Sequence, residues 1–144
     1  MNDIKDILSK YKKIAMIGVS NDSTKASTIV MKYMQKYGYK VYPVNPKAKG
    51  QKILGEKVYE KITDIKDTID IVDVFRPSKE VPAIAKDTIK IGAKVLWLQL
   101  GIKSEEAKKL MENNNIRYIE NKCTKMEYQS YFLKVRQAFP VLQE

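Results

Sequence analysis

Two hydrophobic rhythms alternate along the chain. Short apolar runs occupy residues 14–19, 39–44, 71–75, 94–100 and 116–119, the first made by Ile14, Ala15, Met16, Ile17 and Val19 around Gly18. Runs this continuous read as strands covered on both faces, because a strand with one wet face would alternate. Between them apolar residues recur at three and four positions, the spacing of one buried helix face. Ile4, Ile7, Leu8 and Tyr11 form the first such stripe, and Ala26, Ile29, Val30, Tyr33, Met34 and Tyr37 the second, with Gly38 as its stop. A third combines Val81, Ile84, Ala85, Thr88, Ile89 and Ile91, with Gly92 after it. Ser78 is the expected N-cap of that helix, and Glu80 and Pro82 suit its first turn. Ser104 caps a fourth helix, which sets Glu105 and Glu106 at its positive end, buries Ala107, Leu110 and Met111, and stops at Asn113 to Asn115. The last stripe starts at Thr124 and runs through Tyr128, Tyr131, Phe132, Val135 and Phe139 to Pro140.

The second strand is expected to end at Pro43 and Pro46, since proline cannot donate to a ladder. Residues 45–59 read as a loop with at most a short strand near 57–59, and residues 64–68 as a brief helical turn. Strand and helix signals thus alternate from end to end, without an internal repeat, a low-complexity tract or a linker. The implied fold class is α/β: a Rossmann-like, doubly wound, mostly parallel five-stranded sheet flanked by helices, as a single domain over residues 1–144. Ligands of such folds lie outside the carboxyl ends of the strands, beside strand one. Those ends fall at residues 18–25, 45–49, 75–78, 99–102 and 121–125.

The first of these ends carries the chemistry most directly. Gly18 has no Cβ to keep a bound group from the backbone, and the helix after it points its N–H groups and positive dipole at the same place, which suits phosphate. A tight strand-to-helix turn explains the same glycine equally well. The dinucleotide fingerprint is not met: its second and third glycine places hold Ser20 and Ser23, and no acid follows the second strand. That disfavours NAD. Lys47 and Lys49 at this rim instead suit a phosphate on the adenosine ribose, as NADP and coenzyme A both carry.

Composition narrows the class of protein without naming a function. In 144 residues, 44% hydrophobic and 31% charged, there is room for one globular core, and no apolar run approaches the length of a membrane span. The first ten residues lack the pattern of a secretory signal. One cysteine excludes an internal disulfide, so a cytoplasmic location is expected. The formal charge of +10 favours anionic partners, nucleic acid included. It is almost all lysine spread along the chain, however, with arginine only at Arg76, Arg117 and Arg136, and a lysine-rich solvated surface accounts for it as well. Absence of histidine removes Ser-His and Cys-His nucleophile pairs and the usual metal ligands. Cys123 is the one reactive candidate, flanked by Lys122 and Lys125 at a helix start that would lower a thiol pKa. If it faces the ligand, a mixed disulfide with a thiol cofactor is expected; with no partner base, a merely tolerated cysteine is the simpler reading. Trp97 reads as core.

The segments IGVSND with Lys25 and Ser27, YGYKVYPVNPK, ILGEKVY, IVDVFRPSKEVP, IGAKVLWLQLGI and ENKCTKMEY are together specific. On them the chain resembles the CoA-binding domain family, small stand-alone Rossmann-like proteins related to the CoA-binding domain of the succinyl-CoA synthetase α subunit. The resemblance runs from about residue 13 to 128. It implies coenzyme A or acyl-CoA as ligand; with no histidine and no convincing catalytic constellation, no catalysis by this chain is expected, and an enzyme on another chain is the expected partner. It implies that Gly18, Val19 and Ser20 lie against the pyrophosphate, with Lys25 and Ser27 in the same loop. Asn45, Pro46 and Lys47 are implied at the adenosine phosphate end, Phe75, Arg76 and Pro77 beside the adenine or pantetheine arm, and Gln99 and Gly101 in the next turn. An NADP-binding oxidoreductase-like protein and a basic nucleic-acid-binding module are the alternative readings.

Overall fold

The computed structural model describes residues 3–134. Val135, Phe139 and Pro140 of the expected closing helix, like Arg136, lie outside them. In chain order the elements are α1 (Asp3–Lys10), β1 (Lys13–Ile17), α2 (Ala26–Lys36), β2 (Lys40–Val44), β3 (Lys52–Ile53) and β4 (Glu56–Lys57). There follow β5 (Ile71–Val74), α3 (Val81–Ile91), β6 (Val95–Leu98), α4 (Glu105–Asn113), β7 (Arg117–Ile119) and α5 (Thr124–Tyr128), which continues as a π-helical turn over Gln129–Leu133.

Five strands form one sheet in the order β2-β1-β5-β6-β7, and every neighbouring pair in it is parallel. The direction of winding reverses between β1 and β5, which opens a crevice at their carboxyl ends. Side-chain parity divides the core. Ile14 and Met16 of β1, Ile71 of β5 and Val95 and Trp97 of β6 pack with α1 and with Val30, Met31 and Met34 of α2. The alternate residues Ala15, Val72, Val74, Leu96 and Leu98 pack with Val81 and Ala85 of α3 and Ala107 and Met111 of α4. Strands β5 and β6 are therefore buried at every position, as their unbroken apolar runs require. Trp97 is fully buried, and its indole N–H donates to the Lys122 carbonyl at 2.8 Å.

Local details depart from the sequence expectations for identifiable reasons. Pro43 lies inside β2 instead of ending it. Its carbonyl accepts from the Tyr59 N–H on the outer side of this edge strand, so its missing N–H faces away from β1 and costs no bond within the sheet. The segment expected as a loop contains an antiparallel hairpin, β3 with β4, turned by Leu54 and Gly55 at φ 49° and 82°. Two consecutive positive φ values belong to a type I′ turn, for which Leu in the first place gives no signal. The brief helical turn falls at Ile62–Asp64, earlier than expected. Ser78 does not cap α3; it begins a 3₁₀ turn, and its hydroxyl accepts from the Lys103 N–H. Ser104 does cap α4, accepting from the Ala107 N–H at 3.1 Å.

Candidate functional site

A cleft of about 320 Å³ opens where β1, β2 and β5 end, on the α3 side of the sheet. Ile17, Gly18, Val44 and Ile62 form its inner part, Asn45, Pro46 and Lys47 one rim, and Arg76, Glu80 and Ile84 the opposite one. Five sequence-predicted residues thus meet: Gly18, Asn45, Pro46, Lys47 and Arg76. Glu60, Lys61 and Asp87 complete the lining. Sequence reasoning missed those three together with Glu80 and Ile84 as cleft residues, and read Ile17 and Val44 only as strand core; Ile62 carried no expectation. The i, i+4, i+7 spacing of Glu80, Ile84 and Asp87 was the available signal, marking one face of the third helix.

Gly18 earns its place through packing first. Its φ is +94°, and a Cβ there would stand 3.0 Å from both the Phe75 carbonyl oxygen and the Arg76 side chain. The space expected for a ligand beside this glycine is occupied by the turn after β5. Its N–H donates to the Val44 carbonyl at 2.8 Å, so that amide is not free for phosphate. Asn45 ties the next corner: its side-chain amide donates to the Val19 carbonyl at 2.9 Å while its side-chain oxygen accepts from the Lys47 N–H. This fixes the rim that carries Lys47.

The loop between β1 and α2 is also satisfied from within. The Ser20 N–H donates to Ser27 Oγ, the Asp22 N–H to Ser20 Oγ, and the Thr24 N–H and hydroxyl both to Asp22 Oδ1. Those bonds from Thr24 hold the Asp22 carboxyl below the usual range, keeping a negative charge in the loop. Val19 is fully buried in the core, and Lys25, the residue before α2, is exposed and gives no side-chain cap.

Cations on the rim differ in how free they are. Arg76 does not pair with Asp73; its guanidinium meets the Glu80 carboxylate through two hydrogen bonds, at 3.0 and 2.6 Å. That contact holds Glu80 below its ordinary pKa. Lys49 pairs with Glu60 at 3.2 Å. Lys47 has no carboxylate within ion-pair distance among the described residues.

The remaining candidates lie beyond the cleft. Phe75 has the parity of Ile71 and Asp73, and its ring packs on the α2 side. Pro77 is exposed outside the cleft lining. Gln99 turns inward: its amide donates to Asp73 Oδ1 at 2.6 Å and to Thr124 Oγ1 at 3.1 Å, and the Thr124 hydroxyl donates to Asp73 Oδ2 at 3.2 Å. Asp73 is fully buried in this triangle, and burial pushes its pKa up to about 7 against the pull of the two hydrogen bonds. Gly101, at φ +83°, donates its N–H to the Asn121 side chain. Cys123 is half-buried, and its thiol is pushed up, not down, because burial outweighs the Lys125 and Met126 amides of the helix start. No cluster of three or more metal-ligating residues occurs among the described residues.

A family model for a CoA binding domain matches residues 12–129. The chain belongs to the CoA-binding domain family. Its relatives come in two lengths. The Bacillus subtilis (strain 168) protein YneT is 36% identical over 126 residues, covering 88% of this chain and 92% of that protein. The ADP-forming acetate–CoA ligase of Methanocaldococcus jannaschii is 31% identical over 124 residues, which take up 81% of this chain but 17% of the ligase. The family fold extends to solved structures: a hypothetical protein from Pyrococcus horikoshii OT3 superposes with a TM-score of 0.86 at 40% identity, covering 90% of this chain and 89% of that one. Among the described residues no helix is long and apolar enough to cross a membrane.

Proposed function

We propose that the chain binds coenzyme A, or an acyl-CoA, with the adenosine end in the cleft at the carboxyl ends of β1, β2 and β5, and that it makes and breaks no bond itself. The observation that carries this reading is the meeting of Gly18, Asn45, Pro46, Lys47 and Arg76 in one cleft of a CoA-binding-domain chain. The apolar inner wall of Ile17, Val44, Ile62 and Ile84 suits a purine, and Lys47, which like Lys61 has no ion-pair partner among the described residues, is the rim cation for the ribose phosphate. Ser20 and Lys25 border the pyrophosphate, whose charge Lys25 meets, while Val19 and Ser27, both buried, hold the loop from beneath. The amides of Ser20, Asp22 and Thr24 already donate to side-chain oxygens of the same loop, so side-chain cations carry the phosphates. Arg76 and Pro77 lead toward the pantetheine arm, and Gln99, Gly101 and Cys123 lie farther along the strand ends.

A ligase has further domains with which to activate an acid, and in this reading an enzyme on another chain supplies them. The protein then acts as a carrier, a sensor or a partner, in the cytoplasm where CoA is found. Isothermal titration with CoA and with NADP tests it. Saturable binding of CoA with much weaker NADP binding is expected; equal affinity for both, or none for CoA, overturns it.

A further inference from the structure

A second concavity, about 620 Å³, lies on the opposite side of the first loop, along the outer face of α2. One wall is Ile29, which is 43% exposed although it continues the apolar stripe of the helix, and the other is Leu54 at the tip of the β3-β4 hairpin, 38% exposed. The Tyr33 ring lies between α2 and α5 in the same lining. Ser23, Thr28, Lys32, Lys36 and Lys125 complete it, no carboxylate lines it, and none of the three lysines has an ion-pair partner among the described residues. Lys125 Nζ sits 5.4 Å from the Tyr33 ring centroid, held over the groove by that ring.

Leu54 supplies an independent indication. A leucine at φ +49° occupies a place where Asn, Asp or Gly would be unstrained, and strain of this kind persists where a side chain is wanted. The hairpin tip is moored as well, since the Gln35 side-chain amide donates to the Leu54 carbonyl at 3.2 Å. Strained backbone thus holds a large apolar side chain half out of the core, opposite an exposed isoleucine and beneath uncompensated cations.

We propose that this groove binds an anionic amphiphile of the fatty-acid class, its hydrocarbon stem between Ile29 and Leu54 and its carboxylate among Lys32, Lys36 and Lys125. Bare lysines alone would fit any polyanion; the apolar walls select a ligand with a stem. The groove is separate from the cleft, and the inference does not rest on what the cleft holds.

The test is a titration of the full chain with decanoate below its micellar range, followed by methyl NMR of Ile29 and Leu54, with decyl maltoside and pyrophosphate as comparison probes. Saturable methyl shifts with decanoate, at least tenfold tighter than with either probe, are expected. Leu54→Gly removes the wall and the strain together, so it should raise the urea midpoint while weakening decanoate at least fivefold. Lys32→Gln with Lys36→Gln should weaken it with the fold unchanged. Shifts that stay linear in decanoate, pyrophosphate binding as tight as decanoate, or undiminished binding by Leu54→Gly overturns the proposal. CoA affinity is read separately at the Gly18 amide, so failure of one site leaves the other standing.

Discussion

The cleft and the groove flank one loop and differ chiefly in how their charges are arranged. In the cleft three cations, Lys47, Lys61 and Arg76, share the lining with Glu60, Glu80 and Asp87. In the groove Lys32, Lys36 and Lys125 face no acid. A balanced site of this kind gains its selectivity from which cation is released to the ligand, because an arginine already bonded to a carboxylate has to exchange one partner for another. An unbalanced one attracts any anion and must take its selectivity from shape. The overall charge of +10 therefore says little about the cleft, although it was the most suggestive bulk property of the sequence.

One of the two largest effects in this comparison is expected at Gly18. Gly18→Val forces a β-branched residue to φ +94° against the Phe75 carbonyl, so it should cost roughly 2–4 kcal/mol in urea unfolding and collapse the cleft while groove residues in the folded fraction keep their shifts. Next comes Asp73, buried under α5 on the groove side. Its folded pKa lies above the unfolded value of 3.8, so the native state binds the extra proton and the stability it contributes is complete below about pH 4 and lost as pH rises to about 7. The loss is on the order of 4 kcal/mol by linkage. Asp73→Asn should flatten the unfolding free energy across that window, and an unchanged slope would assign the titration elsewhere.

Smaller effects separate the cations. Arg76→Ala should weaken CoA by ~1–3 kcal/mol, the scale of a charge-assisted contact, whereas Glu80→Gln should tighten it severalfold by freeing the guanidinium; calorimetry of the pair distinguishes a ligand contact from a structural ion pair. Lys47→Gln should weaken CoA a few-fold and reduce its salt dependence, while Lys49→Gln, already paired with Glu60, should change little. Least of all, Cys123 should remain unmodified after incubation with oxidised CoA near pH 7, since its thiol is pushed up by burial; rapid labelling seen by mass spectrometry would reverse that reading.

How much of this was legible in the sequence depended on whether the signal was local. Strand and helix order followed from apolar spacing, which survives because each side of the sheet buries every second residue of β5 and β6. The cleft rim was legible as strand-end segments. What these could not show is direction. Phe75 and Arg76 are adjacent, yet alternation in a strand sends the ring toward α2 and the guanidinium toward α3. The Glu80 partner and the burial of Asp73 with Gln99 and Thr124 are likewise products of three-dimensional approach. The hairpin escaped notice because Leu54 adopts a turn conformation that its side chain disfavours.

Pro43 has a consequence beyond β2. At the rim of an open sheet, a row of unpaired amides is a template on which another chain can polymerise. Here the outward amide is absent at Pro43, and that of Asn45 is already spent on Tyr59. A foreign strand arriving at this end would meet a blank place and then an occupied one, so the fold carries its own guard against edge-to-edge aggregation.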